Sequence, residues 1–382
     1  MLSEESNKRK YNILQIVPSL NCGGVERGTI DISKAIAAAG DSPFVLTSGG
    51  SLCANLKDAT IIKRDVATKN PLYIYNNIGF IQNLIKEHKI DLVHARSRAP
   101  AWSAFFACRR TGTPFVTTFH GIYSLKSRLK KYYNEVMTFG DKVIAVSNFV
   151  KNHLITYYQV PEEKIVVIHR GVDLEYFSPQ LLSPEMKEKF IDKYNTNFSA
   201  PIIVMPSRLT SWKGQHILIE ALNKIKHLDF FCILAGDLSK HPEYVKRLNN
   251  LIIQNKLQSK IKIFGQETDV SLLYNAASVV VSSSLEPEAF GRSIVEAQAM
   301  QKIVVATDIG GAAETIENEV TGLHVKPNNI EDLAEKLEYA LKMINTPMAE
   351  KMQKLARESV EKNFSLEQMQ TKTLNLYKQL MK

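Results

Sequence analysis

The sequence lacks the marks of several simple protein classes. Its four cysteines, Cys22, Cys53, Cys108 and Cys232, form no Cys-x-x-Cys or Cys/His pattern. That argues against structural zinc and suits a reducing cytoplasm. No stretch approaches the ~18 apolar residues of a membrane span. The start, MLSEESNKRKYNILQIV, is polar and then briefly apolar, so it reads as a strand and not as a signal peptide. There is no low-complexity tract and no internal repeat. The Gly-x-Gly-x-x-Gly of dinucleotide sites is missing, which disfavours a nicotinamide enzyme. RNP-type aromatics and a basic recognition helix are missing too, so a nucleic-acid partner is not expected.

What is present is a chain of 382 residues, 45% hydrophobic and 23% charged, long enough for two domains. Its net charge of +9 is uneven. Residues 1–175 hold 23 Lys and Arg against 15 Asp and Glu, and the remainder 25 against 24. One basic half implies an anionic partner: a nucleic acid, a membrane surface or an acidic acceptor.

Short β-branched runs alternate with helical patterns. Strands are expected at 11–17, 43–47, 91–95, 114–119, 142–147 and 164–169, then at 201–207, 230–236, 260–265, 278–283 and 302–307. Helical spacing fills segments between them, as in 73–88 and 330–344. Such alternation predicts an α/β protein of parallel sheets covered by helices. Residues 171–190, with two prolines and a mixed pattern, read as the interdomain region. Domains are expected at 1–175 and 176–364, with a terminal helix over 365–382.

In open parallel sheets ligands gather outside the carboxyl ends of strands, and the unusual residues fall there. Gly23 and Gly24 lie between a strand and a helix, where amides and the helix dipole suit a phosphate or merely make a tight turn. Arg208 leaves a strand and Lys213 precedes a helix, a guanidinium and an ammonium spaced for a diphosphate. The stretch EPEAFGRSIVEAQAM (286–300) puts Phe290, Gly291 and Arg292 at a helix N-terminus. Glu288 and Glu296 bracket that turn, and carboxylates accept from paired hydroxyls such as those of sugar and ribose. Taken singly, the two acids also fit a cap and a helix surface.

These pieces, in order, resemble those of retaining glycosyltransferases of family 4: NCGGVE, TTFHG, VIHRGVD, SRLTSWKG, ILAGD, the E-x7-E of 288–296, and GGAAETIENEVTGLHV. The resemblance spans roughly residues 11 to 345. One departure is Arg170, where many relatives have Asn, and it bears on the hinge or the acceptor side. The resemblance implies the GT-B fold: two Rossmann-like domains facing a central cleft, with a C-terminal helix crossing back to the first. It implies that Arg208 and Lys213 bind the donor diphosphate, with Gly23 and Gly24 approaching the same phosphates. Glu288 would hold donor-sugar hydroxyls, Glu296 the ribose, and the 290–292 backbone sugar and phosphate. His120 would sit near the anomeric carbon, as the second catalytic candidate beside Glu288. Neither metal nor cofactor is implied, and no DxD-like motif is present. The expected reaction is hexosyl transfer from UDP- or GDP-sugar to a glycan or glycolipid, in lipopolysaccharide core or other cell-surface polysaccharide synthesis. A nucleotide-sugar epimerase of the same fold, or a binding module without turnover, are the alternatives.

The acceptor is expected in the basic half. Arg96 and Arg98, in HARSRAPAW, follow a strand and would meet an anionic acceptor. Residues 123–137 pattern as an amphipathic helix with Lys126, Arg128, Lys130 and Lys131 on its flank, suited either to an anionic membrane or to an ordinary surface. The protein is therefore expected in the cytoplasm, on the inner face of the cytoplasmic membrane if that helix binds lipid.

Overall fold

Among the described residues of the computed structural model, thirteen short strands, most of them buried, form two all-parallel sheets. The structure describes residues 9–21, 23–123, 125, 127–179, 183–194, 196, 200–267 and 269–381. Lys126 and Cys22 lie outside the described residues. Contacts divide the chain into two compact units, parted at Arg170/Gly171 and again at Leu366/Glu367.

The first unit holds β1 (Asn12–Ile16), β2 (Ser42–Thr47), β3 (Thr60–Lys63), β4 (Leu92–Ala95), β5 (Phe115–Phe119), β6 (Lys142–Ala145) and β7 (Ile165–Val167). Their order is β3-β2-β1-β4-β5-β6-β7. The chain starts at the middle, runs to one edge and then to the other, which puts a switch point between β1 and β4. Helix Leu366–Leu380 belongs to this unit from Glu367 on. Its Tyr377 is fully buried, with the hydroxyl 2.5 Å from His94 Nδ1, and Gln370 Nε2 donates to Asp31 O at 2.9 Å.

The second unit holds β8 (Ile202–Pro206), β9 (Phe231–Ala235), β10 (Ile261–Phe264), β11 (Val279–Ser282), β12 (Ile303–Thr307) and β13 (Leu323–Val325). The order β10-β9-β8-β11-β12-β13 repeats the same doubly wound plan, with its switch point between β8 and β11. Val279, Val280 and Val281 are at most 1% exposed, as a central strand covered on both faces requires. Each such side chain contributes on the order of 1.5–3 kcal/mol by leaving water.

Two strands escape the sequence pattern, β3 and β13. Both are edge strands: β3 is half exposed and ends in Lys63, and β13 is only three residues long. The amphipathic helix expected over 123–137 is shorter. It runs Arg128–Glu135 because the Ser127 hydroxyl caps it by accepting from Lys130 N, and a tighter turn, Val136–Thr138, follows.

Candidate functional site

In the second unit the loops leaving β8 and β11, the strands flanking the switch point, are stitched together. Leu285 N donates to Trp212 O at 2.7 Å, and Ser283 Oγ donates to Gly214 O at 3.0 Å. Gly214 has φ +76°, and any Cβ there would run into the Ser283 carbonyl oxygen. This close approach places Lys213, which is 9% exposed, beside the β11 loop. Its Nζ lies 2.6 Å from Glu288 Oε1, which also accepts from Ser284 Oγ at 2.5 Å. Arg208 is exposed, and its guanidinium rests 5.0 Å from the Trp212 ring centre, with Lys213 Nζ 4.6 Å from the same ring. The indole thus gathers two cations whose mutual repulsion would otherwise spread them.

The backbone of Glu288 is fixed from a third loop. Gly311 N donates to Glu288 O at 2.7 Å. Gly310 has φ +70°, and a Cβ there would lie 2.7 Å from the same oxygen. Gly291, at φ +88°, is the cap position of helix Arg292–Ala299, and as a glycine it supplies no side-chain cap. The positive end of the helix is therefore presented by backbone. Phe290 is 4% exposed and its ring packs edge-on to Phe364, so the ring is part of the packing beside this helix start. Glu296 is held on both oxygens: Arg292 Nη2 donates to Oε1 at 2.8 Å and Tyr274 O–H to Oε2 at 3.1 Å. A carboxylate has about four acceptor directions, so further hydroxyls still fit. Burial, then the Glu296 charge, pushes the Tyr274 phenol well above its ordinary value and keeps it a donor.

The first unit builds a second polar cluster at its own switch point. Gly23, with φ +147°, precedes helix Gly24–Ala38, whose start again has no side-chain cap. Arg96 follows β4 and is 4% exposed; its Nη1 donates to Gln15 Oε1 at 2.8 Å, while Gln15 Nε2 donates to Thr29 O and Ser33 Oγ. Arg170 Nη1 donates to Gly24 O at 3.2 Å and its Nη2 to His120 Nδ1 at 2.9 Å. Both guanidiniums converge on Gly28, where a Cβ would lie 2.6 Å from Arg170 Nη1 and 3.1 Å from Arg96 Nη2. A cavity of about 20 Å³ is lined by His94, Arg96, Thr118, His120 and Arg170. Burial, then Arg170, Arg96 and His94, hold the His120 imidazole well below its ordinary value.

The structure thus joins Lys213 to Glu288 and Arg208 to Trp212 within one unit, and Arg96 to His120 through Arg170 in the other. Arg98 is otherwise engaged, stacked 4.2 Å from the Tyr123 ring centre and donating to Asn134 Oδ1 at 2.8 Å. Sequence reasoning missed Ser284, Trp212, Gly310–Gly311 as a clamp on Glu288, and Tyr274. Arg170 was visible only as a departure from the usual Asn.

On helix Arg128–Glu135, Arg128 and Lys130 are exposed and Lys131 is half-buried. The apolar residues of this helix also face water: Leu129 is 82% and Tyr132 61% exposed. Trp102 meets Tyr132 in a tilted ring contact at 5.3 Å, and Ser103 Oγ donates to Ile74 O, so helix Pro71–Glu87 lies alongside with Leu72 and Tyr75 exposed as well. No helix among the described residues is long and apolar enough to cross a membrane.

Two family models match successive parts of the chain: Glycosyltransferase Family 4 over residues 22–176 and Glycosyl transferases group 1 over 186–359. The crystal structure of a glycosyltransferase from Rickettsia africae is 50% identical, with a TM-score of 0.92, covering 98% of this chain and 99% of that one. Anabaena HepE in complex with UDP-glucose is 26% identical, with a TM-score of 0.80 over 96% of this chain and 99% of that one. The GPI3 subunit of the phosphatidylinositol N-acetylglucosaminyltransferase of Saccharomyces cerevisiae is 24% identical over 314 residues, 80% of this chain; the match spans 66% of that longer protein. The chain therefore belongs to the group 1, family 4 type of glycosyltransferases and has their GT-B fold.

Proposed function

We propose that the protein moves a hexose, with retention, from a UDP- or GDP-sugar to a lipid-linked or otherwise anionic glycan acceptor. The observation that carries the donor half is the buried Lys213–Glu288 pair, set between Arg208 and an uncapped helix start at a sheet switch point. HepE, a relative of the same fold, holds UDP-glucose. In this reading Lys213 and Arg208 take the diphosphate and Glu288 the sugar hydroxyls. Glu296 takes the ribose, and the 290–292 backbone bridges sugar and phosphate. As the anomeric C–O bond breaks, its electron pair goes to the diphosphate oxygen, where fixed cations and the helix end stabilise the charge. The acceptor oxygen bonds the anomeric carbon on the same face, and its proton passes to the leaving phosphate. No protein base and no metal is needed for that balance.

The acceptor half rests on Arg96 and on the exposed apolar and basic residues around Leu129 and Tyr132. These suit an anionic lipid surface on the inner face of the cytoplasmic membrane. The yeast relative, by its name, glycosylates phosphatidylinositol. Synthesis of lipopolysaccharide core or another cell-surface polysaccharide is the setting that fits. The test supplies radiolabelled UDP- and GDP-hexoses with vesicles of anionic lipid that carry a bacterial lipid extract. Label should become lipid-extractable in the anomeric configuration of the donor. The double variant Leu129→Asp, Tyr132→Asp should slow labelling about tenfold and stop the protein floating with the vesicles. Inverted product would refute retention, and an unchanged rate with unchanged flotation would refute the membrane surface.

A further inference from the structure

We propose that Arg170 is a positioning residue: it locks His120 in the Nε2–H tautomer, so that the imidazole serves transfer as a hydrogen-bond donor to a sugar oxygen and not as a base. The inference rests on the reading that the first unit's polar cluster serves that transfer.

The argument begins with what a guanidinium can do. It has five N–H donors and no acceptor. Arg170 Nη2 lies 2.9 Å from His120 Nδ1, so Nδ1 must offer its lone pair and the ring proton must sit on Nε2. Protonating Nδ1 would break that bond and set a second positive charge against Arg170. An Asn at this position, with both a donor and an acceptor, would not impose either tautomer. Arg170 is itself held by Gly24 O and lies over Gly28, whose missing side chain makes the space.

The groups that bear on the ring all oppose an imidazolium. They are Arg170, Arg96 on the loop after β4, and His94 on β4. His94 is pushed down by burial and by the same arginines, and it is bonded by Tyr377 of helix Leu366–Leu380 and by Thr118 of β5. Asp31, on helix Gly24–Ala38, acts on Arg96, and Tyr123 bonds the His120 backbone.

Although His120 is only half-buried as a residue, its Nε2 is shielded and has no hydrogen-bond partner among the described residues. A buried donor left unpaired is costly, by about 1–3 kcal/mol. The adjoining cavity, about 20 Å³, is the size of one oxygen-centred group. An oxygen bound there satisfies Nε2–H, and a ring with this tautomer has no lone pair left to take a proton from an acceptor hydroxyl.

The test is nitrogen NMR of the histidine-labelled full chain, together with steady-state transfer, on wild type, Arg170→Met and Arg170→Lys. Wild-type His120 should show a neutral ring with the proton on Nε2 and no titration between about pH 8 and pH 5.5. Arg170→Met should mix the tautomers and raise the ring's titration toward, without reaching, the ordinary ~6.5, because burial, Arg96 and His94 remain. It should lose kcat about tenfold at neutral and higher pH, where the Nδ1–H form competes, recover in part at acidic pH, where the imidazolium again carries Nε2–H, and leave donor KM little changed. Arg170→Lys keeps a cationic donor and should restore the tautomer and most of kcat. A wild-type ring protonated on Nδ1, a wild-type ring that titrates near ~6.5, or wild-type kcat in Arg170→Met would each overturn the proposal. UDP binding measured alongside separates the two readings: without it in wild type the donor assignment fails, while the spectra still judge Arg170.

Discussion

Lys213→Ala is expected to lower kcat/KM for transfer by about 10²- to 10³-fold, the loss seen when one fixed donor is taken from a developing oxyanion. The same change should also destabilise the protein, because it leaves Glu288 without its cation in a site where both side chains are mostly buried. Removing one partner of such a pair costs roughly 3–5 kcal/mol at full burial, and somewhat less here because Glu288 keeps its Ser284 bond. The two effects separate in the double variant Lys213→Ala, Glu288→Ala. With both charges gone, much of the stability should return. Transfer should not, because both the phosphate cation and the sugar acceptor are missing. Thermal unfolding and initial rates on the wild type, the two singles and the double decide this. A double variant that regained activity along with stability would mean that the pair is only structural.

Gly214→Ala is expected to be among the most damaging single-methyl changes in the second unit. The position has φ +76°, so any L side chain costs about 1–2 kcal/mol. The new Cβ also overlaps the Ser283 carbonyl oxygen, and forcing such a contact in a packed region costs about 1–3 kcal/mol more. Together these should lower the unfolding midpoint by several degrees, about 2–4 °C for each kcal/mol in a unit of this size. Donor affinity should fall too, since the methyl pushes apart the two loops that bring Lys213 to Glu288. Gly265→Ala is the control in the same unit: nothing lies within 4 Å of a Cβ there. Near-equal midpoints for the two variants would contradict the packing described here.

Much of this was legible in the sequence because it is carried by local patterns. Central strands such as Val279–Ser282 are unbroken apolar runs, and doubly covered parallel strands must be. Thr60–Lys63 did not stand out because it is partly exposed and ends in Lys63, and Leu323–Val325 because it is only three residues long and broken by His324; the other two edge strands, Ile165–Val167 and Ile261–Phe264, still showed. Lys213, Arg208 and Glu288 were legible because each lies on a loop that leaves a strand beside a switch point. Their partners were not, because pairing is set by the sheet and not by spacing. Lys213 meets Glu288 across 75 positions, and Tyr377 reaches His94 across 283. Arg96 reads in the sequence as a strand-end cation for an anionic acceptor, and its cover and its bond to Gln15 are not legible there; the exposed apolar positions of helix Arg128–Glu135 likewise show only once neighbours are placed.

The central claim, a nucleotide-sugar site built on Arg208 and Lys213, is tested most directly by thermal stability against UDP, GDP, ADP, CDP and their common sugars. A ligand present at a hundred times its dissociation constant adds ~2.7 kcal/mol to the folded state. The account predicts a raised melting temperature with UDP or GDP and with a sugar on that nucleotide, and no rise in Arg208→Ala. A folded wild-type sample that responds to none of them, or an Arg208→Ala protein that responds equally, would contradict it.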